Sequence, residues 1–279
     1  MLSIFNSIFG KLLRSFFRFE YYFEAVFLHL ILKLKGSNNK NRIIFQSDIK
    51  ILVNKIKSNN EKRLALFVAF HDPQKISKSN IEHIKFLHNC NFVVAYIHSG
   101  LLSKKVINEL NNMGCYVICR KNIGHDFGAY KDSLAMLEEL KINNHLKWIL
   151  ITNDSNFCLN GEESSFSNLF KKSLNDDVSH DFVSLNCNFQ YKLHYQGYFL
   201  CFRETVFKSR IFKKYWKNYL PLNHKYHSIE KGEKKFSETV LSKFKPKVLL
   251  NTYDLYEKII EDSTNRDIDS LLLLLPKNQ

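Results

Sequence analysis

Two glycines, an amide and an acid stand close together in the pattern Asn122-x-Gly124-x-Asp126-x-Gly128. Glycine lets the backbone approach a ligand closely or adopt a positive φ angle, and the first N–H groups of a helix can bind phosphate or sugar oxygens. The spacing differs from the Gly-x-Gly-x-x-Gly fingerprint of dinucleotide-binding proteins. The pattern predicts a ligand-binding loop. The alternative is that Asp126 only caps a helix and Gly124 only turns the chain.

A second polar group, Asn153-Asp154-Ser155, follows the most apolar segment, residues 148–152. A carboxylate at that place can hold a divalent cation that bridges a diphosphate, or can accept a hydrogen bond from a sugar hydroxyl. Because Asp154 is a single acid rather than one of a pair, metal binding is the weaker of these two interpretations. The alternative is an Asx turn that closes the strand.

Two further segments carry side chains suited to sugar chemistry. His194, Gln196 and Tyr198 lie in a predicted strand, where hydrogen-bonding groups and aromatic faces could contact a sugar ring. Glu233 and Glu238 are isolated acids in a basic region, and a carboxylate near a helix start could take a proton from an acceptor hydroxyl. The alternative for both acids is a solvated position on a helix surface.

The elements that must position these residues alternate between residues 63 and 152. Apolar, β-rich segments are predicted as strands over residues 63–70, 92–97, 115–119 and 148–152, and helical patterns separate them. Three helices are predicted between these strands. The first begins at a capping box at residues 79–82, the second spans residues 103–113 and ends at Gly114, and the third spans residues 126–140. Near-continuous apolar strands predict a parallel sheet covered by helices on both faces, a Rossmann-like α/β fold. Ligands bind beyond the carboxyl ends of such strands.

Beyond residue 152 the pattern is less regular. Strands are predicted over residues 181–185, 195–202 and 247–250, and helices over residues 205–219, 231–244 and 253–261. We expect three regions: a basic amphipathic helical segment over residues 1–42, one α/β domain over residues 43–262, and a C-terminal tail over residues 263–279.

The formal net charge of +14 comes from two basic regions, residues 1–63 and 203–247, which flank a balanced middle. Such regions attract anionic partners, namely nucleic acid, phospholipid headgroups or phosphorylated substrates. The basic residues form no recognisable nucleic-acid-reading motif, so we predict no nucleic-acid partner. The six cysteines are too dispersed for a disulfide scaffold or a thiolate metal site, so we expect them to be reduced and mostly buried.

Paired apolar residues recur at helical spacing from Ile4 to Ile31, with Lys11, Arg14 and Arg18 between them. A basic amphipathic helix with an aromatic face is typical of helices that lie in the membrane interface. A helix packed on the protein itself or on a second subunit explains the pattern equally well. The N-terminal apolar stretches are shorter than the roughly 20 residues of a spanning helix, and no cleavable secretion signal is recognisable. We therefore expect a cytoplasmic protein whose residues 1–36 contact an anionic membrane surface.

Four segments, taken in order, resemble the rhamnan synthesis protein F family: N-I-G-H-D-F-G-A-Y at 122–130, I-T-N-D-S at 151–155, H-Y-Q-G-Y-F at 194–199 and G-E-K-K-F-S at 232–237. The resemblance covers residues 63–245 and implies a GT-A-type glycosyltransferase fold. Two positions depart from the family pattern. Asn156-Phe157-Cys158 stands where the family commonly has a small residue and proline, and Gly197 stands where it has serine.

The resemblance also implies roles for individual residues. The segment Asn153-Asp154-Ser155 corresponds to the position that binds the donor's diphosphate, and Asp154 within it to the ligand of a divalent cation, Mn²⁺ or Mg²⁺. Asn122, Gly124 and Asp126 correspond to the loop that contacts the donor's sugar or ribose. To these we add His194, Gln196 and Tyr198 as acceptor or sugar contacts, and Glu233 and Asp126 as candidate catalytic residues, with Glu233 as the base.

The sequence thus predicts a bacterial glycosyltransferase with a nucleotide-sugar donor, the first expectation for the sugar being rhamnose or another deoxyhexose. Its acceptor would be a lipid-linked cell-surface polysaccharide or lipopolysaccharide such as O-antigen, at the cytosolic face of the inner membrane. The alternative is a non-catalytic, membrane-associated partner in polysaccharide assembly that keeps the same fold.

Overall fold

The computed structural model describes residues 20, 22–31, 33, 34, 42–156, 165–175, 178–188 and 193–250. Within these ranges the chain folds around an eight-stranded sheet with helices on both faces. The predicted α/β class and the mostly parallel central sheet are confirmed. The predicted helix over residues 253–261, the tail over 263–279 and the apolar pattern over residues 1–19 lie outside the described residues.

The helical elements begin with α1, over residues 22–31. The later helices are α2 Ile49–Ser58, α3 Lys78–Asn89, α4 Lys104–Asn112, α5 His125–Glu139, α6 Ser165–Lys172, α7 Glu204–Phe207, α8 Arg210–Asn218, α9 Lys225–His227 and α10 Lys235–Thr239. A π-helical turn, Ser228–Lys234, joins α9 to α10, and short 3₁₀ turns cover Ile142–His145 and Leu241–Lys243. The strands are β1 Ile43–Gln46, β2 Arg63–Ala69, β3 Phe92–Ser99, β4 Tyr116–Arg120, β5 Trp148–Asn153, β6 Phe182–Ser184, β7 Cys187–Asn188, β8 His194–Tyr195, β9 Phe199–Arg203 and β10 Pro246–Val248.

The large sheet has the strand order β1-β4-β3-β2-β5-β9-β6-β10. The four central strands, β4, β3, β2 and β5, are parallel, as the sequence predicts. Strand β1 pairs antiparallel with β4, and β9 lies antiparallel between β5 and β6. Strands β7 and β8 form a separate two-stranded ribbon.

Alternate residues of the central strands enter two different cores. In β2, Leu64, Leu66 and Val68 pack on the face covered by α2, α5 and α8, whereas Ala65, Phe67 and Ala69 pack on the face covered by α3, α4 and α6. Because both faces of each strand are buried, the sequence of the strand is continuously apolar rather than alternating.

The strand order reverses between β2 and β5. From β2 the chain moves outward through α3, β3 and α4 to β4, with both helices on one face of the sheet. It then returns through α5 on the opposite face and adds β5 on the other side of β2. Such a reversal leaves a crevice beyond the carboxyl ends of the two strands, the usual ligand site of open α/β sheets.

Several predicted element boundaries are wrong. Helix α3 is capped by Ser77, whose hydroxyl accepts from the Asn80 N–H at 3.1 Å, rather than by a box starting at Ser79. The predicted strand over residues 195–202 is divided between β8 and β9, which belong to different sheets. The predicted helix over 205–219 breaks at Ser209, which caps α8, and the helical region predicted from residue 231 begins at Lys225.

Other expectations concern cysteines and membrane spans. Among the described cysteines, Cys90, Cys115, Cys119 and Cys201 are buried free thiols and Cys187 is half-buried, as predicted. No helix within the described ranges has both the length and the hydropathy needed to cross a bilayer.

The buried His83 on α3 gives the first testable prediction. Its ring lies 4.5 Å from that of Phe67, and burial lowers the His83 pKa from 6.5 to about 4. Between these two pH values the unfolded chain binds a proton that the folded protein does not. The free energy of unfolding should therefore fall by about 1 kcal/mol for each unit that the pH drops through this range.

In the variant His83→Leu this pH dependence should weaken, as measured by urea denaturation at a series of pH values. The control is His145→Leu, which changes an exposed histidine. Equal slopes for the wild type and His83→Leu would contradict the prediction.

Candidate functional site

A cavity of about 420 Å³ lies at the point where the strand order reverses, and we call it the switch-point cavity. Residues at or just beyond the carboxyl ends of the parallel strands line one side, namely Phe70, Ser99, Asn122 and Asn153. The first turn of α5 contributes His125, Asp126 and Phe127. The remaining lining residues come from later in the chain: Gly197, Lys225, Ser228, Ile229 and Glu233.

A short hydrogen bond joins the two predicted loops inside this cavity. The Asn153 Nδ2 group donates to Asp126 Oδ2 at 2.6 Å. The N-cap of α5 is Gly124, which makes no side-chain capping bond. The alternative that Asp126 only caps the helix is therefore wrong. The Asx turn does occur, since the Ser155 N–H donates to Asn153 Oδ1 at 3.1 Å, but Asn153 makes both contacts at once.

Asp154 fastens the end of β5 to the end of β2. Its Oδ2 atom accepts from the Phe70 N–H at 2.7 Å, and its own N–H donates to the Val68 carbonyl at 3.0 Å. Burial raises the pKa of Asp154, and the nearby His71 and His98 partly oppose that shift. Asp154 is bonded to Phe70 and adjacent to Asn153, which both line the switch-point cavity, but it is not itself among the lining residues.

Two carboxylic acids in the cavity have raised pKa values. Burial raises the pKa of Asp126, the charge of Asp154 raises it further, and the hydrogen bond from Asn153 opposes the shift. Burial also raises the pKa of Glu233. The Gly197 N–H, which donates to Glu233 Oε1 at 3.1 Å, and the neighbouring His194 oppose this shift. A carboxylate with a raised pKa is a better proton acceptor than a solvated one.

A buried ionic network holds the loop before α5. Arg120 is fully buried and contacts Asp132 Oδ2 through Nε at 3.0 Å and Nη2 at 2.9 Å. Its Nη2 group also donates to the carbonyl of Ile123 at 2.7 Å, while Arg42 binds the other carboxylate oxygen of Asp132 at 2.8 Å. This network holds the backbone of the loop at Ile123.

Asn223 holds the same loop, although no sequence pattern predicts this role. Its Oδ1 accepts from the Gly124 N–H and its Nδ2 donates to the Asn122 carbonyl at 3.1 Å. Gly124 has a φ of 81°, and a Cβ there would lie 2.4 Å from Cβ of Pro221. Only glycine fits this position, and its N–H binds Asn223 rather than a ligand. No local pattern marks Asn223, because its partners are about a hundred residues away in the chain.

The predicted contacts at His194, Gln196 and Tyr198 lie near the cavity, but Gly197 between them forms its wall. His194 is buried, and Gln196 and Tyr198 are half-buried. A Cβ on Gly197 would lie 2.6 Å from the Phe127 ring. The absence of a side chain at Gly197 therefore allows the backbone to approach Phe127 closely.

The sequence does not predict two other residues that line the cavity. Phe70 was assigned to the end of a strand, yet its side chain is 66% exposed and lines the cavity. Lys225 lies in the second basic region, but nothing in the local sequence distinguishes it from its neighbours. Ser155 and Gly124, both predicted to contact the donor, do not line the cavity.

The described residues contain no group of three His, Cys, Asp or Glu side chains that could hold a metal ion. Mg²⁺ is commonly held by one or two carboxylates together with substrate phosphates and water. A cation at Asp154 would therefore need most of its ligands from a bound diphosphate and from solvent. The predicted cation stays a prediction.

These features define the class of the protein: an α/β protein with a cavity that contains two carboxylic acids at the switch point of a mostly parallel sheet. Residues 94–274 match the family described as Rhamnan synthesis protein F, which is well over half of the chain. The chain belongs to this family. The match begins within β3 and extends into the predicted tail, so its extent differs from the predicted 63–245.

The chain is also similar to a protein of Sinorhizobium fredii (strain NBRC 101917 / NGR234) named "Uncharacterized protein y4gN". The two are 28% identical over 168 residues, which cover 60% of this chain and 43% of that relative. The chain therefore spans less than half the length of the relative that it matches.

The Arg120–Asp132–Arg42 network predicts a large effect for a small change. In Asp132→Asn two buried guanidinium groups lose their shared counter-charge, so the free energy of unfolding should fall by about 3–5 kcal/mol. Urea denaturation at neutral pH measures this loss.

The control is Glu204→Gln, which breaks an exposed ion pair with Lys208 and should cost less than about 1 kcal/mol. Similar losses for the two variants would show that the buried network does not hold the loop.

Proposed function

We propose that the protein is a glycosyltransferase that moves a sugar from a nucleoside-diphosphate donor to a glycan acceptor during the synthesis of a rhamnan-type polysaccharide. The observation that carries this proposal is the convergence of Asp126, Asn153, Glu233 and Lys225 on one cavity at the switch point. Membership of the rhamnan synthesis protein F family supports it. The GT-A-type fold, a deoxyhexose donor and a lipid-linked acceptor at the cytosolic face of the inner membrane are parts of the same proposal.

The leaving diphosphate needs positive charge as the glycosidic bond breaks. Lys225 lines the switch-point cavity and supplies one charge from the second basic region. The N-terminal turn of α5 lines the same cavity, and the amino end of a helix favours anions. A divalent cation beside Asp154 would add charge at the diphosphate. We therefore expect the donor's phosphates to bind between Lys225 and the amino end of α5.

The acceptor hydroxyl needs a base on the same cavity. In the proposed reaction the hydroxyl proton moves to a carboxylate, the acceptor oxygen bonds to the anomeric carbon, and the electrons of the broken carbon–oxygen bond leave with the diphosphate. Glu233 is the first candidate base because it lines the cavity and burial raises its pKa. Asp126 is the second candidate, although its hydrogen bond to Asn153 favours a positioning role.

Replacing Asp126 or Asp154 tests the proposal at the donor. Asp126→Ala removes the carboxylate that Asn153 binds, and Asp154→Ala removes the bridge to Phe70, so each should lower sugar transfer by about a hundredfold or more. Release of nucleoside diphosphate from a panel of nucleotide sugars, with and without Mn²⁺, measures this loss.

The control is Glu109→Ala, an exposed acid on α4 that should leave transfer unchanged. Full activity in Asp126→Ala would reject the assigned role. No binding of any nucleotide sugar to the wild type, as measured by calorimetry, would favour the non-catalytic partner.

Glu233 predicts a pH dependence. The base acts only when it is deprotonated, so transfer should decline as the pH falls through the raised pKa of Glu233, above the ordinary 4.5. Glu233→Gln should lower kcat by at least about a hundredfold and remove this acidic limb. The pH profiles of kcat and of kcat/KM measure these two effects. If Glu233→Gln retained both the rate and the acidic limb, the base would be another group.

A further inference from the structure

Helix α1 has one face that packs on the protein. Ala25 is 4% exposed, and the ring of Tyr22 lies edge-on to that of Tyr226 with centroids 5.5 Å apart. The His29 Nδ1 atom lies 3.1 Å from Nε2 of His227. These contacts seat the helix on α9 and the residues that follow it.

The opposite face of α1 carries large apolar side chains that are exposed to solvent. Phe23, Phe27 and Leu30 are 63%, 55% and 52% exposed, and Leu34, in the helical residues beyond, is 87% exposed. Their spacing of three and four residues places them on one face of a helix. Isolated exposed apolar residues are ordinary, but a continuous row of this kind marks an interaction surface. We call these four residues the apolar row.

A basic cavity of about 400 Å³ lies beside α1. His29 of α1, Lys214 of α8, Lys231 and Lys235 line it, and the described lining residues include no acid. Lys235 also pairs with Glu238 at 2.9 Å, outside this lining. Burial lowers the pKa of His29, and the charges of Lys231 and Lys33 lower it further. We call this space the lysine cavity.

Charge decides between the partners that could cover the apolar row. In a two-fold dimer the same patch meets its own copy, so the two lysine cavities would approach each other with like charge. A nucleic acid would satisfy the lysines but would leave the row in water. An anionic bilayer satisfies both, because its acyl region accepts the apolar side chains and its phosphates attract the lysines.

We infer that α1 and the lysine cavity together form a docking surface for an anionic phospholipid bilayer, with a headgroup phosphate held in the lysine cavity. This surface uses none of the residues that line the switch-point cavity. It therefore stands independently of the proposed sugar transfer.

Flotation with vesicles tests the apolar row. The full chain should bind vesicles of equal parts phosphatidylcholine and phosphatidylglycerol, and it should not bind phosphatidylcholine alone. Phe23→Ser with Phe27→Ser should weaken this binding by about tenfold or more, because two aromatic side chains leave the acyl region. The matched control is Ile44→Ser with Leu101→Ser, which removes two exposed apolar side chains elsewhere.

A second pair of variants tests the lysine cavity. Lys214→Gln with Lys231→Gln should weaken binding to the anionic vesicles by about twentyfold, since each lysine near an anionic surface contributes a factor of about five. The control is Lys104→Gln with Lys105→Gln, which removes two exposed charges from α4. Inorganic phosphate at millimolar concentration should not release the bound protein. Release by phosphate would instead identify the lysine cavity as a site for free phosphate and overturn the bilayer assignment.

Two other outcomes would overturn the inference. Unchanged vesicle binding by the Phe23/Phe27 variant would show that the row is not the contact. A wild type that is dimeric by light scattering, and that becomes monomeric in this variant, would assign the row to a second copy. Calorimetry with the nucleotide-sugar panel, run on the same proteins, separates these results from a failure of the proposed function.

Discussion

The hydrogen bond between Asp126 and Asn153 is the contact on which the site depends, because it crosses the point where the strand order reverses. Asp126 lies in the first turn of α5, on one face of the sheet, and Asn153 is the last residue of β5. Burying a carboxylate is costly unless a donor compensates it, and the adjacent Asp154 adds negative charge. The amide of Asn153 compensates only part of this cost. The cavity is therefore suited to a ligand that brings protons or cations, as hydroxyl groups and a cation-bound diphosphate do.

An unusual turn, Ser228–Lys234, carries Glu233 into the lining of the switch-point cavity. Hydrogen bonds in a π-helix connect residues five apart, so Ser228 and Glu233, at the two ends of that interval, both reach the switch-point cavity. In an α-helix residues five apart point in different directions. Gly232 in the same turn has no Cβ, and a Cβ there would lie 2.9 Å from the Phe127 ring. The turn can therefore pack tightly against α5, which places Glu233 near Gly197 and within the electrostatic influence of Asp126.

The sequence predicts the central strands and their polar ends because both faces of these strands are buried and ligand-facing residues follow them directly. Asn122, Asp126 and Asn153 were found in this way. The break at Gly197 was missed, since residues 195–202 are apolar enough to resemble one strand, and only the tertiary contact with Phe127 explains the turn. The π-helical turn has no periodic signal of its own. Asn223, Lys225 and the Arg120–Asp132 network depend on partners distant in the chain, which spacing alone cannot identify.

Residues 224–235 connect the two surfaces of the molecule. Tyr226 and His227 contact α1 and Lys231 lines the lysine cavity, while Lys225, Ser228 and Glu233 line the switch-point cavity. Lys231 and Glu233 are two residues apart in one π-helical turn and reach different cavities. Binding of α1 to a bilayer would therefore fix the orientation, relative to the membrane, of the turn that carries the proposed base. An acceptor anchored in that bilayer would then meet Glu233 from a constant direction, which reduces the entropy lost when the hydroxyl is aligned with the donor.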